Sequence, residues 1–145
     1  MIHFTRVPFF FLEILVYILG PNGNEFRLFN GKRNFTEANK SCVIDEGGKL
    51  AILNSEQLVG FAREKFSNRS FWIGATEYGK GIWKWINGSE IAWQHWAPNE
   101  PDGGSRETCL IFSQGWRDIN CGHFNSYLCE REREHISNRV CSILP

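Results

Sequence analysis

Neither sign of charge is in excess, because the 145 residues carry 16 Lys and Arg against 16 Asp and Glu. No global field draws this chain to nucleic acid or an anionic membrane, so any partner must be chosen by a local site. No run reaches the about 20 apolar residues that a membrane-spanning helix needs. Internal repeats, low-complexity tracts and dividing linkers are also missing, and the length suits one domain with a real core. There is no His-Glu-x-x-His motif and no nucleophilic triad, and His95 and His123 are isolated, without metal-ligand spacing. Glycoside hydrolysis needs two carboxylates held roughly 5 to 9.5 Å apart. Glu100 and Asp102, separated by a single proline, give no such spacing, and the chain is read as a non-enzyme.

What is present begins with residues 1–20, where a weakly basic start passes into an apolar run, Val7 to Leu19, in the order of a secretory signal. Glu13 interrupts that run and opposes insertion. Asn34, Asn39, Asn68 and Asn87 each open an Asn-x-Ser/Thr tripeptide, a pattern permissive of the secretory route and of a glycoprotein. Five cysteines in an extracellular chain suggest two bridges and one leftover thiol, with connectivity open. The Arg-Glu alternation from Glu130 to Glu134 reads as the start of a solvated tail.

Phe26 to Phe29 alternates as a strand and Asn30-Gly31 reads as a turn. Thr36 can cap a helix over Glu37 to Asp45, with Ala38, Cys42 and Val43 at helical spacing and Gly47-Gly48 as its stop. Ser55 caps a second helix through Phe66, whose Leu58, Val59, Phe61, Ala62 and Phe66 face inward. Strands follow at Phe71 to Gly74, Trp83 to Trp85, Thr108 to Phe112, Gly115 to Asp118 and Ser126 to Glu130. Between Trp85 and Leu110 the sequence is polar and aperiodic, and a long loop inside a compact domain is usually functional or disordered. Trp93 and Trp96 argue for order there, while Trp72, Trp83, Trp85 and Trp116 are expected to pack.

Residues 93–129 carry the chemistry. Glu100, Asp102, Glu107 and Asp118 fall between tryptophans and cysteines, where a stapled scaffold could face them toward one point. Converging carboxylates suit a hard cation, and calcium, with roughly six to eight oxygen ligands, can leave places open for the hydroxyls of a sugar. Pro101 fixes the backbone between Glu100 and Asp102, and a cis bond there would turn both side chains to one side.

Cys42, Trp72-Ile73-Gly74, Trp93 to Trp96, Glu100-Pro101-Asp102, Glu107-Thr108-Cys109, Trp116-Arg117-Asp118, Cys121 and Cys129 resemble, in order and spacing, the C-type lectin domain, over about residues 26–131. The resemblance implies an α+β fold: two helices, two small antiparallel sheets and a long loop region, stapled by disulfides. With the signal peptide at 1–20, the lectin-like domain takes 21–131 and a tail 132–145. The resemblance also implies pairings of Cys42 with Cys129 and Cys109 with Cys121, leaving Cys141 for an interchain bridge or a free thiol. By position, Glu100, Asp102, Glu107 and Asp118 become calcium ligands, and these with Arg117 form the carbohydrate site. The function implied is calcium-dependent recognition of glycans by a secreted protein, with homo-oligomers for avidity.

Two departures bear on that reading. Glu-Pro-Asp is a hybrid of the family's Glu-Pro-Asn and Gln-Pro-Asp, and two ionised carboxylates only accept hydrogen bonds, where an amide also donates. Arg117 stands where the family has an Asn ligand, and its guanidinium supplies no oxygen. Pointing inward, it would pair with carboxylates where the metal belongs, giving a calcium-independent domain for protein or lipid ligands; pointing outward, it suits an anionic group on the ligand. Gly103-Gly104 and Thr108 leave the auxiliary calcium sites incomplete. Glu77 reads as an exposed loop carboxylate.

Overall fold

In the computed structural model, residues 17–66 and 68–134 are described. Most of the expected leader, residues 1–16, lies outside that range, as does Cys141. The elements in order are β1 (Ile18–Leu19), β2 (Glu25–Arg33), α1 (Phe35–Ile44), β3 (Lys49–Leu50), α2 (Glu56–Phe66), β4 (Phe71–Glu77) and β5 (Trp83–Trp85). A short 3-10 turn (Gly104–Arg106), β6 (Cys109–Phe112), β7 (Trp116–Ile119) and β8 (Asn125–Arg131) follow. The α+β class and the two helices agree with the sequence reading, but the strands form one sheet in the order β1-β2-β8-β4-β6-β7, with β3 on β8 and β5 on β4. The join is β8, which runs parallel to β4 through Phe71↔Ser126 and Trp72↔Tyr127. A parallel pairing between strands so distant in sequence leaves no local signature, and two antiparallel pieces were the natural inference.

Asn34, not Thr36, caps α1. Its Oδ1 accepts the Glu37 N–H at 2.9 Å, and the Glu37 carboxylate accepts the Asn34 N–H at 3.4 Å. That reciprocal box satisfies two otherwise orphaned donors and starts the helix earlier than expected. Ala38 and Cys42 are buried as foreseen, whereas Val43 is 50% exposed. The cap of α2 is as read, with the Leu58 N–H donating to Ser55 Oγ at 3.2 Å. Asn30-Gly31 does not end β2. The strand continues to Arg33 across a register irregularity after Phe29, because β8 offers it a ladder on both sides of the break.

The Glu130–Glu134 alternation is corrected at its start. Glu130 is only 3% exposed, and its carboxylate accepts from Ile52 N–H at 2.9 Å, Asn24 Nδ2 at 2.6 Å and Asn22 Nδ2 at 3.1 Å. A buried charge is tolerable when its lone pairs are met in this way. Arg131 donates to Glu25 at 3.0 Å and lies 3.5 Å over the Tyr17 ring. Tyr17 donates its hydroxyl to Glu46, and burial, then Glu46, push its phenol up. β1 pairs with β2 through Ile18↔Phe26 and Leu19↔Glu25, so residues 17–20, assigned to the leader by sequence, lie against the sheet.

The core gathers Phe26, Leu53, Phe71, Ile73, Trp85, Leu110, Trp116 and Leu128, with α2 covering it through Leu58, Val59, Ala62 and Phe66. A second cluster joins Phe35, Ala38 and Leu50 to Trp72, Tyr127 and both disulfides. Trp72, Trp85 and Trp116 are buried as expected, and Trp83, Trp93 and Trp96 are half-buried against the core. Both bridges form as read: Cys42–Cys129 spans 87 residues and Cys109–Cys121 spans 12. No helix among the described residues is long and apolar enough to cross a membrane.

Candidate functional site

The long loop after β5 is anchored on β7 before it reaches the acidic residues. Trp93 and Trp96 set their rings edge-on to Trp116, at 5.7 and 5.8 Å between centroids. The backbone locks in the same place: Trp116 N–H donates to His95 O at 2.8 Å and Ala97 N–H to Trp116 O at 2.9 Å. Gly115 allows this approach, since a Cβ there would lie 2.9 Å from Ala97 N. Beyond the anchor, Asn99 takes φ +66° and the Glu100–Pro101 bond is cis.

Strand alternation in β7 turns Asp118 inward, 3% exposed, and Arg117 outward. Asp118 then organises the loop, with Asp102 N–H donating to its Oδ1 and Gly103 N–H to its Oδ2, both at 3.0 Å. Carboxylate oxygens of Glu100, Asp102 and Asp118 lie within 4.8 Å of one another. Glu107, the fourth expected ligand, does not join this group. Its side chain packs against Gly103, where a Cβ would come within 2.3 Å of it, so Gly103 gives Glu107 its place and lets the chain pass close to Asp118.

Arg117 Nε donates to Glu100 Oε1 at 3.0 Å; the arginine side chain is 48% exposed and that of Glu100 6%. Glu100 Oε2 is buried with no hydrogen-bond partner. Burial, and next the contact with Asp118, push the Glu100 carboxyl above the ordinary carboxylate value, with Arg117 opposing. An acceptor without a donor, beside two further carboxylates, calls for a proton or a cation. Calcium fits on donor chemistry: each carboxylate oxygen has two lone pairs, so the backbone N–H groups on Asp118 and the guanidinium on Glu100 leave acceptor capacity free.

The Lectin C-type domain signature matches residues 31–131. The chain belongs to the C-type lectin domain family. It is 31% identical over 129 residues to C-type lectin domain family 4 member F of Mus musculus, covering 82% of this chain and 23% of that protein. It is 28% identical over 144 residues to C-type lectin mosGCTL-7 of Aedes aegypti, covering 87% of this chain and 96% of that one. This lectin domain thus spans under a quarter of the first relative and nearly all of the second. Among solved structures, the mouse scavenger receptor C-type lectin carbohydrate-recognition domain superposes with a TM-score of 0.76 at 26% identity, covering 83% of this chain and 97% of that chain. The family is one of carbohydrate-binding domains, and this domain is not an enzyme.

One residue that the sequence did not single out, Arg63, holds the lectin's loop. Arg63 of α2 donates to His95 Nε2 at 3.0 Å and to Gln114 O at 3.4 Å, and Trp93 stacks on the His95 ring at 5.6 Å. Only α2's basic last turn hinted at this. Glu77, read as an exposed loop carboxylate, accepts the Gly81 N–H at 2.7 Å and closes the β4–β5 hairpin. Burial, then Arg63, lower the His95 pKa, while Glu56 opposes. A histidine with a lowered folded value stabilises the fold above its ordinary pKa of about 6.5, and the contribution is lost as pH falls through the lower folded value. Thermal melts in chelator from about pH 7.5 to about pH 5 should therefore fall more steeply for wild type than for His95→Gln. Equal slopes would show that the Arg63 contact does not depend on neutral His95.

Proposed function

We propose that this lectin domain recognises glycans through calcium, acting outside the cell. The observation that carries the reading is the buried, donor-free Oε2 of Glu100 at the meeting point with Asp102 and Asp118. Bound there, calcium would supply a hard Lewis-acidic centre with coordination places for two neighbouring hydroxyls. Asp118 has a double task, offering oxygen inward and fixing Asp102 and Gly103 by their backbone N–H groups. Glu100 and Asp102 accept the hydrogen bonds of sugar hydroxyls. Arg117 restores the donors that a Glu-Pro-Asp motif lacks: Nε is engaged on Glu100, and four of the guanidinium's five N–H donors remain. An anionic substituent on the glycan suits that planar fork. The disulfides fit an oxidising, extracellular setting. A shallow single site favours avidity, for which Cys141 offers an interchain route.

Retention of the full-length protein on immobilised acidic and neutral glycans should be lost in chelator and restored by millimolar calcium. Retention indifferent to chelator would overturn the calcium reading and leave glycan binding standing.

A second reading rests on a specific contact. Arg117 neutralises Glu100 from one side while two backbone N–H groups occupy Asp118, so the loop is already held together by its own residues. A calcium-independent domain binding protein or lipid would look like this. Calorimetric titration of the stripped protein with calcium separates the two, since heat and thermal stabilisation belong only to the first.

A further inference from the structure

The four Asn-x-Ser/Thr tripeptides are not equivalent once folded. Asn39 lies inside α1, and its Oδ1 is buried with no hydrogen-bond partner. The hydroxyl two residues on, Ser41, is 7% exposed and engaged by Asp45 at 2.9 Å and Tyr127 at 3.2 Å. At Asn39 the amide oxygen and the hydroxyl of the tripeptide are thus both taken up in the packed face of α1. Asn34 is committed to capping α1, with buried Phe35 as its next neighbour. Asn68 is exposed, but no hydrogen bond of its side chain orders it among the described residues.

Asn87 differs from all three. It is exposed in the turn that follows β5, where Gly88 takes φ +88° and even an added Cβ would meet nothing within 4 Å. Its Oδ1 accepts both the Ser89 N–H at 3.0 Å and the Ser89 Oγ–H at 2.6 Å. This Asx turn brings together the two side chains that define the tripeptide. With Oδ1 so held, Nδ2 is the polar atom left over, and among the described residues it has no hydrogen-bond partner. The turn is closed independently by Trp85 N–H on Ser89 O at 2.9 Å and Gly88 N–H on Trp85 O at 2.8 Å, so a substituent on Nδ2 breaks no contact of the fold.

We propose that Asn87 is the N-glycosylated residue of this lectin and that Asn39 stays unmodified. The inference rests on the secretory part of the function proposed above. The donor is an oligosaccharide linked to a lipid diphosphate. A bond forms between Asn87 Nδ2 and the anomeric carbon as the bond from that carbon to the diphosphate oxygen breaks. The lipid diphosphate leaves with the electron pair, and Nδ2 gives up one proton to a base of the transferase.

The test is translation of the full chain with endoplasmic-reticulum membranes, once as it stands and once with a strong cleavable leader added. Protease protection reports entry, and the gel shift removed by an amidase specific for N-glycans reports modification. Asn87→Gln and Ser89→Ala should each abolish one glycan step, Ser89→Thr should keep it, and Asn39→Gln should change nothing. Glycopeptide mass spectrometry should place the sugar on Asn87. Failure of the unaided chain to enter would sink the secretory reading alone. An imported chain with Asn87 bare, or with sugar on Asn39, would overturn this proposal.

Discussion

Glu100→Gln should erase the thermal response to calcium while leaving the lectin folded. A cation at about one hundred times its dissociation constant adds about 2.7 kcal/mol of stability, which for a domain of this size is a rise in Tm on the order of 10 °C. Glu100 is the proposed ligand whose substitution separates metal from fold most cleanly. Its carboxylate is nearly buried, one oxygen has no donor, and its pKa is pushed up, so the metal-free protein gains little from keeping it ionised. The amide removes the charge at constant shape, and stability in chelator should be level with wild type or above it. Asp118→Ala should abolish the same response and also weaken the loop, because Asp102 and Gly103 lose the acceptor of their N–H groups. Arg117→Ala should move affinity the other way, since a positive charge no longer competes for Glu100. Melts with and without calcium measure all three. A full calcium shift surviving in Glu100→Gln would place the ion elsewhere.

The second large effect concerns the longer disulfide. Removing it by Cys42→Ala with Cys129→Ala should cost roughly 4 to 5 kcal/mol by the loop-closure argument, a large part of the 5 to 15 kcal/mol on which a folded domain normally rests. The bridge spans 87 residues and joins α1 to β8, which itself pairs with β2, β3 and β4. Few other links tie so many strands. The Cys109–Cys121 bridge closes only 12 residues, so the same argument gives a smaller loss, roughly 3 kcal/mol. It joins β6 to the far side of β7, however, and its removal should impair glycan retention more than global stability. Urea titrations of the two double variants, beside column retention, compare both predictions. Equal stability losses would mean that loop length is not what the bridges contribute.

Much of this was legible in the sequence, for local reasons. Ser55 as a cap, the apolar face of α2 and the short strands around tryptophan pairs all follow from spacing within a few residues. Glu100, Asp102 and Asp118, which the fold brings together, stood out by their place between tryptophans and cysteines, and the resemblance supplied the disulfide pairing. Distant packing was hidden. The inward turn of Glu130 depends on Asn22 and Asn24 arriving from over one hundred residues away, so charge alternation alone suggested a solvated tail. Glu107 stands apart from the cluster because Gly103, lacking a side chain, lets it fold over the loop. Thr36 stood as the expected cap, although Asn34 with Glu37 three residues on carries the spacing of a capping box. Arg63 left only the hint of a basic last turn in α2, since nothing local links it to His95.

Glu25 faces Arg131 across β2 and β8, and the Arg131 guanidinium covers Tyr17. The first and last strands of the described residues therefore meet at one corner. Tyr17 and Arg131, near the two ends of the described residues, share that corner, an arrangement that suits tethering, insertion into a host sequence or stringing in series like a bead on a single knot.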